Sequence, residues 1–76
     1  MKRLSEITIG RKCIIESFTD ELMKLKLMEM GCIPGETVEV IRIAPAGDPI
    51  AISVANYMLG IRLNEAESIL VTELNG

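Results

Sequence analysis

Residues 37–63 read TVEVIRIAPAGDPIAISVANYMLGIRL, and they are the most informative part of the chain about its fold. Three runs rich in Val, Ile and Leu, at 37–44, 50–54 and 58–63, are separated by two short turn sequences. Within these runs apolar residues alternate with polar or small ones, which is the pattern of strands that bury one face. The stretch therefore predicts three consecutive antiparallel strands joined by hairpins.

The first of these runs contains a break in its alternation. Val38 and Val40 alternate with polar residues, whereas Ile41 and Ile43 fall out of phase. A β-bulge near Ile41 restores the phase and supplies the bend that a small barrel needs.

Turn residues predict how the three strands are connected. Two prolines and a glycine in 44–49 predict a stiff hairpin loop. Asn56-Tyr57 predicts a second, tighter turn.

Two further strands are predicted outside this stretch, at 11–17 and 68–74. A helix follows the first of them, with Thr19 as its N-cap, and runs to about Met30 before Gly31, a residue that takes the left-handed C′ conformation freely. Asn64, with Glu67 three residues later, predicts a capped one-turn helix before the last strand.

These elements predict a mainly β fold in a single domain, 1–76. We expect a small SH3-like barrel of about five strands, with one α-helix inserted after the first strand and a one-turn helix before the last strand. Closure into a partly open barrel is the usual way for such short strands to avoid exposed edges.

The helix carries two adjoining apolar sets at helical spacing. One set, Met23, Leu27 and Met30, faces the core, and a second lies to one side of it. We predict that the second set docks on another protein. The two sets adjoin, so periodicity alone does not separate Leu27 from the second set. The predicted partner-binding residues, including Tyr57 and Arg62 as a polar anchor, are Leu22, Leu25, Leu27, Met28, Tyr57 and Arg62. A helix fully buried under one end of the barrel is the alternative, and self-association through Leu25 and Met28 stays open.

Composition excludes several classes of function. The 8 Lys and Arg against 11 Asp and Glu give a net charge of −3, which disfavours nucleic acid, because phosphate contacts depend on basic residues. The chain has one Tyr, one Phe and no Trp, so platforms for base stacking are nearly absent. It also has no His, which removes the commonest general base and metal ligand.

The sequence contains no run of about 20 apolar residues, the length that a helix needs to cross a bilayer. No leader pattern is present either. We therefore expect a cytoplasmic protein with no membrane insertion.

The remaining reactive groups indicate no catalytic, cofactor or metal site. Cys13 and Cys32 each lie in or beside an apolar run, which is typical of buried reduced thiols. The carboxylates are spread along the sequence and are expected to be solvated. A hydrophobic fraction of 49% is high for so short a chain, which can bury only about 60% of its unfolded surface. Either a partner covers part of it, or Ala, Cys and Met inflate the count.

Three motifs in order resemble one known family. KLMEMGCIPG at 26–35, APAGDPI at 44–50 and LGIRLNEA at 59–66 are similar to the signatures of the ferrous iron transport protein A family (FeoA). The likeness extends from about Leu4 to Val71. It implies an SH3-like barrel that is a non-enzymatic cytoplasmic accessory of ferrous iron uptake. The implied partner is the membrane ferrous iron permease of the same system, which carries a cytoplasmic GTPase domain. The alternative is a stand-alone SH3-like interaction domain, related to the C-terminal domain of iron-dependent repressors, that binds a regulator or peptide.

Overall fold

Six antiparallel strands form one sheet in the computed structural model, which describes residues 1–74. The elements in chain order are β1 (Lys2–Arg3), β2 (Lys12–Phe18), α1 (Glu21–Glu29), β3 (Thr37–Ile43), β4 (Ile50–Val54), β5 (Tyr57–Ile61), α2 (Leu63–Glu67) and β6 (Ile69–Glu73). Along the sheet the strands lie in the order β1-β6-β2-β3-β4-β5. The two helices, α1 and α2, precede β3 and β6.

The three hairpin strands predicted from 37–63 are confirmed. Ile50, Ile52 and Val54 on β4 are all buried, as their alternation predicts. The second turn was placed one residue too late: it is formed by Ala55 and Asn56, whose φ angles of 49° and 68° are both positive. A two-residue turn of this kind matches the twist of the flanking strands, so Tyr57 belongs to β5 and pairs with Val54.

The predicted bulge is also confirmed. The register between β3 and β4 shifts between Val40 and Arg42, which places the extra residue at Ile41. A second shift, between Ile15 and Ser17, bends β2 against β6. Each bulge bends its strand, and the two together curve the sheet around its core.

The sixth strand was not predicted. Lys2 and Arg3 pair with Val71 and Leu70 at the end of the sheet, and a 3₁₀ turn then buries Leu4 and Ile7. Two residues of strand and three of 3₁₀ helix are too short to show a periodic pattern. Only the contact with β6 identifies them.

Both helix starts differ from the prediction. The N-cap of α1 is Asp20, not Thr19, and its Oδ1 accepts a hydrogen bond from the Met23 amide at 2.9 Å. α2 begins after Arg62 rather than Asn64, and Glu65 accepts from the Arg62 amide at 2.7 Å. A carboxylate three residues along satisfies that amide without a Ser, Thr or Asn at the cap position.

The end of α1 follows the prediction. Gly31 has φ of 106° and donates its amide to the Met28 carbonyl, while Cys32 donates to the Leu27 carbonyl at 2.9 Å. These two bonds form a Schellman motif. Cys32 and Leu27 are both fully buried, so the motif also joins the end of the helix to the core.

Leu27 is the residue that anchors α1. It is 0% exposed, and no other residue of α1 is buried. The rest of the core comes mainly from alternating strand residues, together with the 3₁₀ turn and α2. Its buried members are Leu4, Ile7, Cys13, Ile15, Leu27, Cys32, Val38, Val40, Ile50, Ile52, Val54, Ile61, Ala66, Ile69 and Val71.

Leu27→Ala is expected to lower the free energy of unfolding by about 3 kcal/mol, because it removes a buried side chain and leaves a cavity. Leu25→Ala on the same helix is the matched control. Leu25 is 63% exposed, so its truncation should change stability by less than about 0.5 kcal/mol. Urea unfolding followed by circular dichroism measures both, and equal losses would contradict the assignment of Leu27 as the anchor.

Candidate protein-docking surface

The exposed side of α1 is apolar. Leu22 is 81% exposed, Leu25 is 63% exposed, and Met28 is half-buried. We call Leu22, Leu25 and Met28 the helix surface. The prediction that Leu27 shares this surface is wrong, because Leu27 is fully enclosed by the core and cannot contact a partner.

A buried carboxylate holds the helix surface in place. Glu65 on α2 is 4% exposed, and its Oε2 lies 2.7 Å from the Lys26 Nζ of α1. Its Oε1 accepts the Arg62 amide. This pair connects the two helices, and a second link joins the Thr19 amide to the Ser68 carbonyl at 2.9 Å. The expectation that the carboxylates are solvated is therefore wrong for Glu65.

The electrostatics of Glu65 favour its ionised form. Burial by itself raises the pKa of this carboxyl, but the hydrogen bonds from Lys26 and Arg62 and the nearby positive charges outweigh that effect. The pKa of Glu65 is therefore lowered from its ordinary value of 4.5. Glu65 is a structural anion that is paired at neutral pH, which does not suit it to act as a general base.

Tyr57 and Arg62 are not brought together. Tyr57 is the first residue of β5 and Arg62 follows its last, so about 16 Å of strand separates them at the usual rise per residue. Arg62 directly precedes α2. That helix carries Glu65, the partner of Lys26. Tyr57 and Arg62 are both exposed and lie at opposite ends of β5, and their role as a polar anchor stays a prediction.

The two thiols are unsuited to chemistry at neutral pH. Cys13 and Cys32 are both 0% exposed and unpaired. Burial, assisted by Glu73, raises the pKa of Cys13 to about 11. Burial, assisted by Glu65, raises the pKa of Cys32 to about 11. A thiol in this state is neither a nucleophile nor a ready ligand for a metal, since both roles require the thiolate. Within residues 1–74, no three His, Cys, Asp or Glu side chains cluster as metal ligands.

Sequence reasoning missed the exposed edge of the sheet at β5. Met58 on β5 is 62% exposed, and β5 is an outer strand of the sheet. The alternation of β5 is consistent with an outward-facing Met58, but strand order is not visible in the sequence. An outward-facing methionine on a central strand and one on an edge have the same pattern.

Residues 2–73 match the family model for the FeoA domain. The chain belongs to the FeoA domain family. This finding confirms the family resemblance of the three motifs.

A curated relative places the FeoA domain beside a transporter. It is the Fe(2+) transport protein A/Fe(2+) transporter FeoB fusion protein of Porphyromonas gingivalis, 30% identical over 70 residues. The match covers 91% of this chain and 8% of the fusion protein. This chain therefore spans only a small part of the length of that relative.

Solved FeoA structures share the fold. The solution structure of FeoA from Chlorobium tepidum is 36% identical, with a TM-score of 0.87 over 97% of this chain and 71% of that one. FeoA from Stenotrophomonas maltophilia, solved with zinc and described as a procaryotic SH3 domain protein, is 25% identical, with a TM-score of 0.79 over 95% of this chain and 91% of that one. The predicted SH3-like class is confirmed.

A more distant likeness extends to a regulator. The structure of IdeR from T. acidophilum is 19% identical, with a TM-score of 0.80 over 93% of this chain and 33% of that one. At this identity the likeness shows a shared fold alone.

Within residues 1–74 of the FeoA chain, no helix has the length and apolar character needed to cross a bilayer.

Glu65→Gln is expected to lower the free energy of unfolding at pH 7 by about 1–2 kcal/mol, because it removes a charge-assisted hydrogen bond that only partly reaches solvent. The loss should depend on pH. The folded pKa of Glu65 lies below the ordinary 4.5, so its contribution is complete above pH 4.5 and disappears as pH falls through the folded pKa. The wild-type and variant stabilities should therefore converge in acid.

Glu67→Gln is the matched control for this experiment, since Glu67 is exposed on the same short helix. The comparison between variants is needed because Glu73, which accepts hydrogen bonds from Lys2 and Arg11, also has a lowered pKa. A gap between wild type and Glu65→Gln that is constant from pH 7 to pH 3 would contradict the charge-based explanation.

The two cysteines are expected to resist thiol reagents in the native state. With both thiols enclosed and their pKa values near 11, reaction with a disulfide reagent at pH 8 should proceed only through unfolding. Its rate should rise steeply in urea. Fast labelling of either thiol in native buffer would show that the core opens locally.

Proposed function

We propose that this FeoA chain is a non-enzymatic accessory of ferrous iron uptake that binds and modulates the membrane Fe(2+) transporter of the same system. The observation that carries the proposal is the Porphyromonas gingivalis relative, in which Fe(2+) transport protein A and the transporter FeoB are one polypeptide. Fusion keeps two partners at high effective concentration. Fusion is therefore expected for two proteins that act together. Where the same two proteins are separate chains, we expect the chains to bind one another.

The helix surface supports a binding role. Leu22 and Leu25 expose large apolar side chains, whereas Leu27 on the same helix is completely enclosed by the core. Apolar residues at this helical spacing dock into hydrophobic grooves of partner proteins. The Schellman motif at the end of α1 joins the helix to the core, and the Lys26–Glu65 pair joins it to α2, so the surface is formed before binding and loses less ordering entropy.

The chemistry of the chain supports an accessory role rather than a catalytic one. The chain contains no histidine, its buried thiols are neutral at pH 7, and its one buried carboxylate among residues 1–74 is paired with Lys26. Modulation of the transporter then has to come from contact. We place that contact on the cytoplasmic side, at the GTPase domain that the family resemblance implies for the permease.

Leu25→Glu is expected to weaken binding to the transporter's cytoplasmic domain at least about tenfold, because it puts a charge into an apolar contact. Isothermal titration calorimetry on the purified domain measures the affinity. Amide shifts of the ¹⁵N-labelled chain, which we expect to centre on 22–30, locate the contact. Leu22→Glu should behave in the same way.

Ile9→Glu is the matched control. Ile9 is 56% exposed and lies before the start of β2, whereas α1 follows the end of that strand, so the same chemical change is made far from the helix surface. Native circular dichroism of all three variants shows that the fold is kept. Unchanged affinity in both leucine variants would reject the helix surface. The absence of any binding by the wild-type chain, together with binding to an iron-dependent regulator, would instead favour the repressor-related alternative.

A further inference from the structure

α1 is attached to the rest of the molecule at its two ends and along one side. At its start, the Thr19 amide donates a hydrogen bond to the Ser68 carbonyl at 2.9 Å. At its end, Cys32 is fully buried in the core. Attachments at the two ends restrain rotation of a helix about its own axis only weakly. The contacts along the side, where Leu27 is buried and Met23 packs partly against the core, therefore decide which residues face outward.

The Lys26–Glu65 pair adds a polar contact to that side. Successive residues of a helix are about 100° apart around its axis, so Lys26 lies between the buried Leu27 and the exposed Leu25. Leu22 precedes Lys26 by four residues and therefore stands next to it on the helix. An ammonium held 2.7 Å from the Glu65 carboxylate thus restrains the side of α1 from which Leu22 projects.

Glu65 is itself held in place. Its Oε1 accepts the Arg62 amide at 2.7 Å, so both oxygens of the carboxylate are engaged. The next residue, Ala66, is fully buried, and the Ser68 hydroxyl donates to the Glu65 carbonyl at 2.7 Å. The carboxylate cannot follow a displaced α1 without losing the Arg62 hydrogen bond.

The two members of the pair differ in exposure. The side chain of Lys26 is 59% exposed, whereas that of Glu65 is 5% exposed. In the described part of the chain, no other Lys or Arg nitrogen lies within 4.0 Å of a Glu65 oxygen. Loss of the Lys26 charge would leave a buried carboxylate without its counter-charge, which is costly.

Displacement of α1 would relieve that cost without disturbing the sheet. Among residues 1–74, the backbone hydrogen bonds of α1 stay within 20–32, so the helix can move without breaking a bond between strands. Cys32, at the end of α1, lies close enough to Glu65 for the carboxylate to assist in raising the pKa of its thiol. A movement that exposes Glu65 is therefore expected to expose Cys32 as well.

We propose that Lys26 and Glu65 are positioning residues of the helix surface: the pair holds α1 in the orientation that presents Leu22 and Leu25 to a partner, and neither side chain has to touch that partner. The partner is that of the proposed function, on which this inference rests, whereas the holding of α1 is a property of the chain alone. Loss of the pair should release α1 from a barrel that stays folded.

The two buried thiols measure the release of α1 in the chain alone. Cys32 lies at the end of α1 and Cys13 lies on β2, and both are fully enclosed. Lys26→Met keeps the helix propensity of lysine and removes its charge. In this variant, alkylation of Cys32 by iodoacetamide at pH 8 should become at least about tenfold faster relative to that of Cys13, because local opening exposes only the first. Peptide mass spectrometry measures both rates in one sample.

Lys24→Met is the matched control. It removes the same charge from the same helix, and within residues 1–74 Lys24 belongs to no ion pair, so the ratio of the two rates should keep its wild-type value. The double variant Lys26→Met, Glu65→Gln should bring the ratio back toward the wild-type value. A buried amide costs less than a buried carboxylate without a counter-charge.

Affinity for the transporter's cytoplasmic domain, measured by isothermal titration calorimetry, connects the pair to docking. Lys26→Met should weaken binding at least about threefold, because the helix surface then spends less time in its binding orientation. Glu65→Gln should weaken it as well, and its buried side chain cannot have been a contact of the partner. Glu67→Gln, a change at an exposed position of the same short helix, should leave the affinity unchanged.

Equal acceleration of both thiols in Lys26→Met would make the pair an ordinary contribution to overall stability and would overturn the proposal, as would unchanged rates. Normal binding by both Lys26→Met and Glu65→Gln would show that docking does not need the pair. A wild-type chain that binds no transporter domain would reject the proposed function instead, and the ratio of the thiol rates would still decide whether the pair positions α1.

Discussion

One buried carboxylate ties α1 to α2. α1 places Leu27 fully in the core, and Met23 and the C-cap residue Met30 pack partly against it. Glu65 adds to this apolar contact by holding the Lys26 ammonium at 2.7 Å and the Arg62 amide at 2.7 Å. Without those two partners the carboxylate would be buried and uncompensated, a costly arrangement. The same side chain therefore starts α2 and fixes the direction in which the helix surface points.

The described residues leave apolar groups outside the core at several places, among them Ile9, Ile33, Tyr57, Met58 and the outer side of α1. The outer side of α1 matches a known way of recognising protein, since amphipathic helices enter grooves of their partners. The two thiols, in contrast, are buried, and the buried carboxylate of Glu65 is paired with Lys26.

Several features were predictable because neighbours in sequence produce them. The bulge at Ile41 follows from a break in alternation, and the Schellman end of α1 follows from a glycine placed four residues after Leu27. Leu22 and Leu25 were correctly assigned to the outside of the helix. Leu27 was not separable from Met28, because the two apolar sets adjoin and periodicity does not say how deep the helix sits. The N-caps of both helices were missed by one or two residues, since Thr19 and Asn64 are as suitable locally as the caps actually used.

The period of each strand, the turns with positive φ and the lack of histidine chemistry can be read from the sequence, since they depend on residues close together in the chain or on composition alone. The burial of Glu65, the completion of the sheet by β1 and the position of β5 at an open edge are visible in the three-dimensional structure alone. Strand order and the Lys26–Glu65 pair join residues far apart in the sequence, and a local pattern carries no information about such neighbours. The local pattern was enough to place Leu22 and Leu25 outside the helix, whereas the attachment of α1 to α2 depends on that second kind of information.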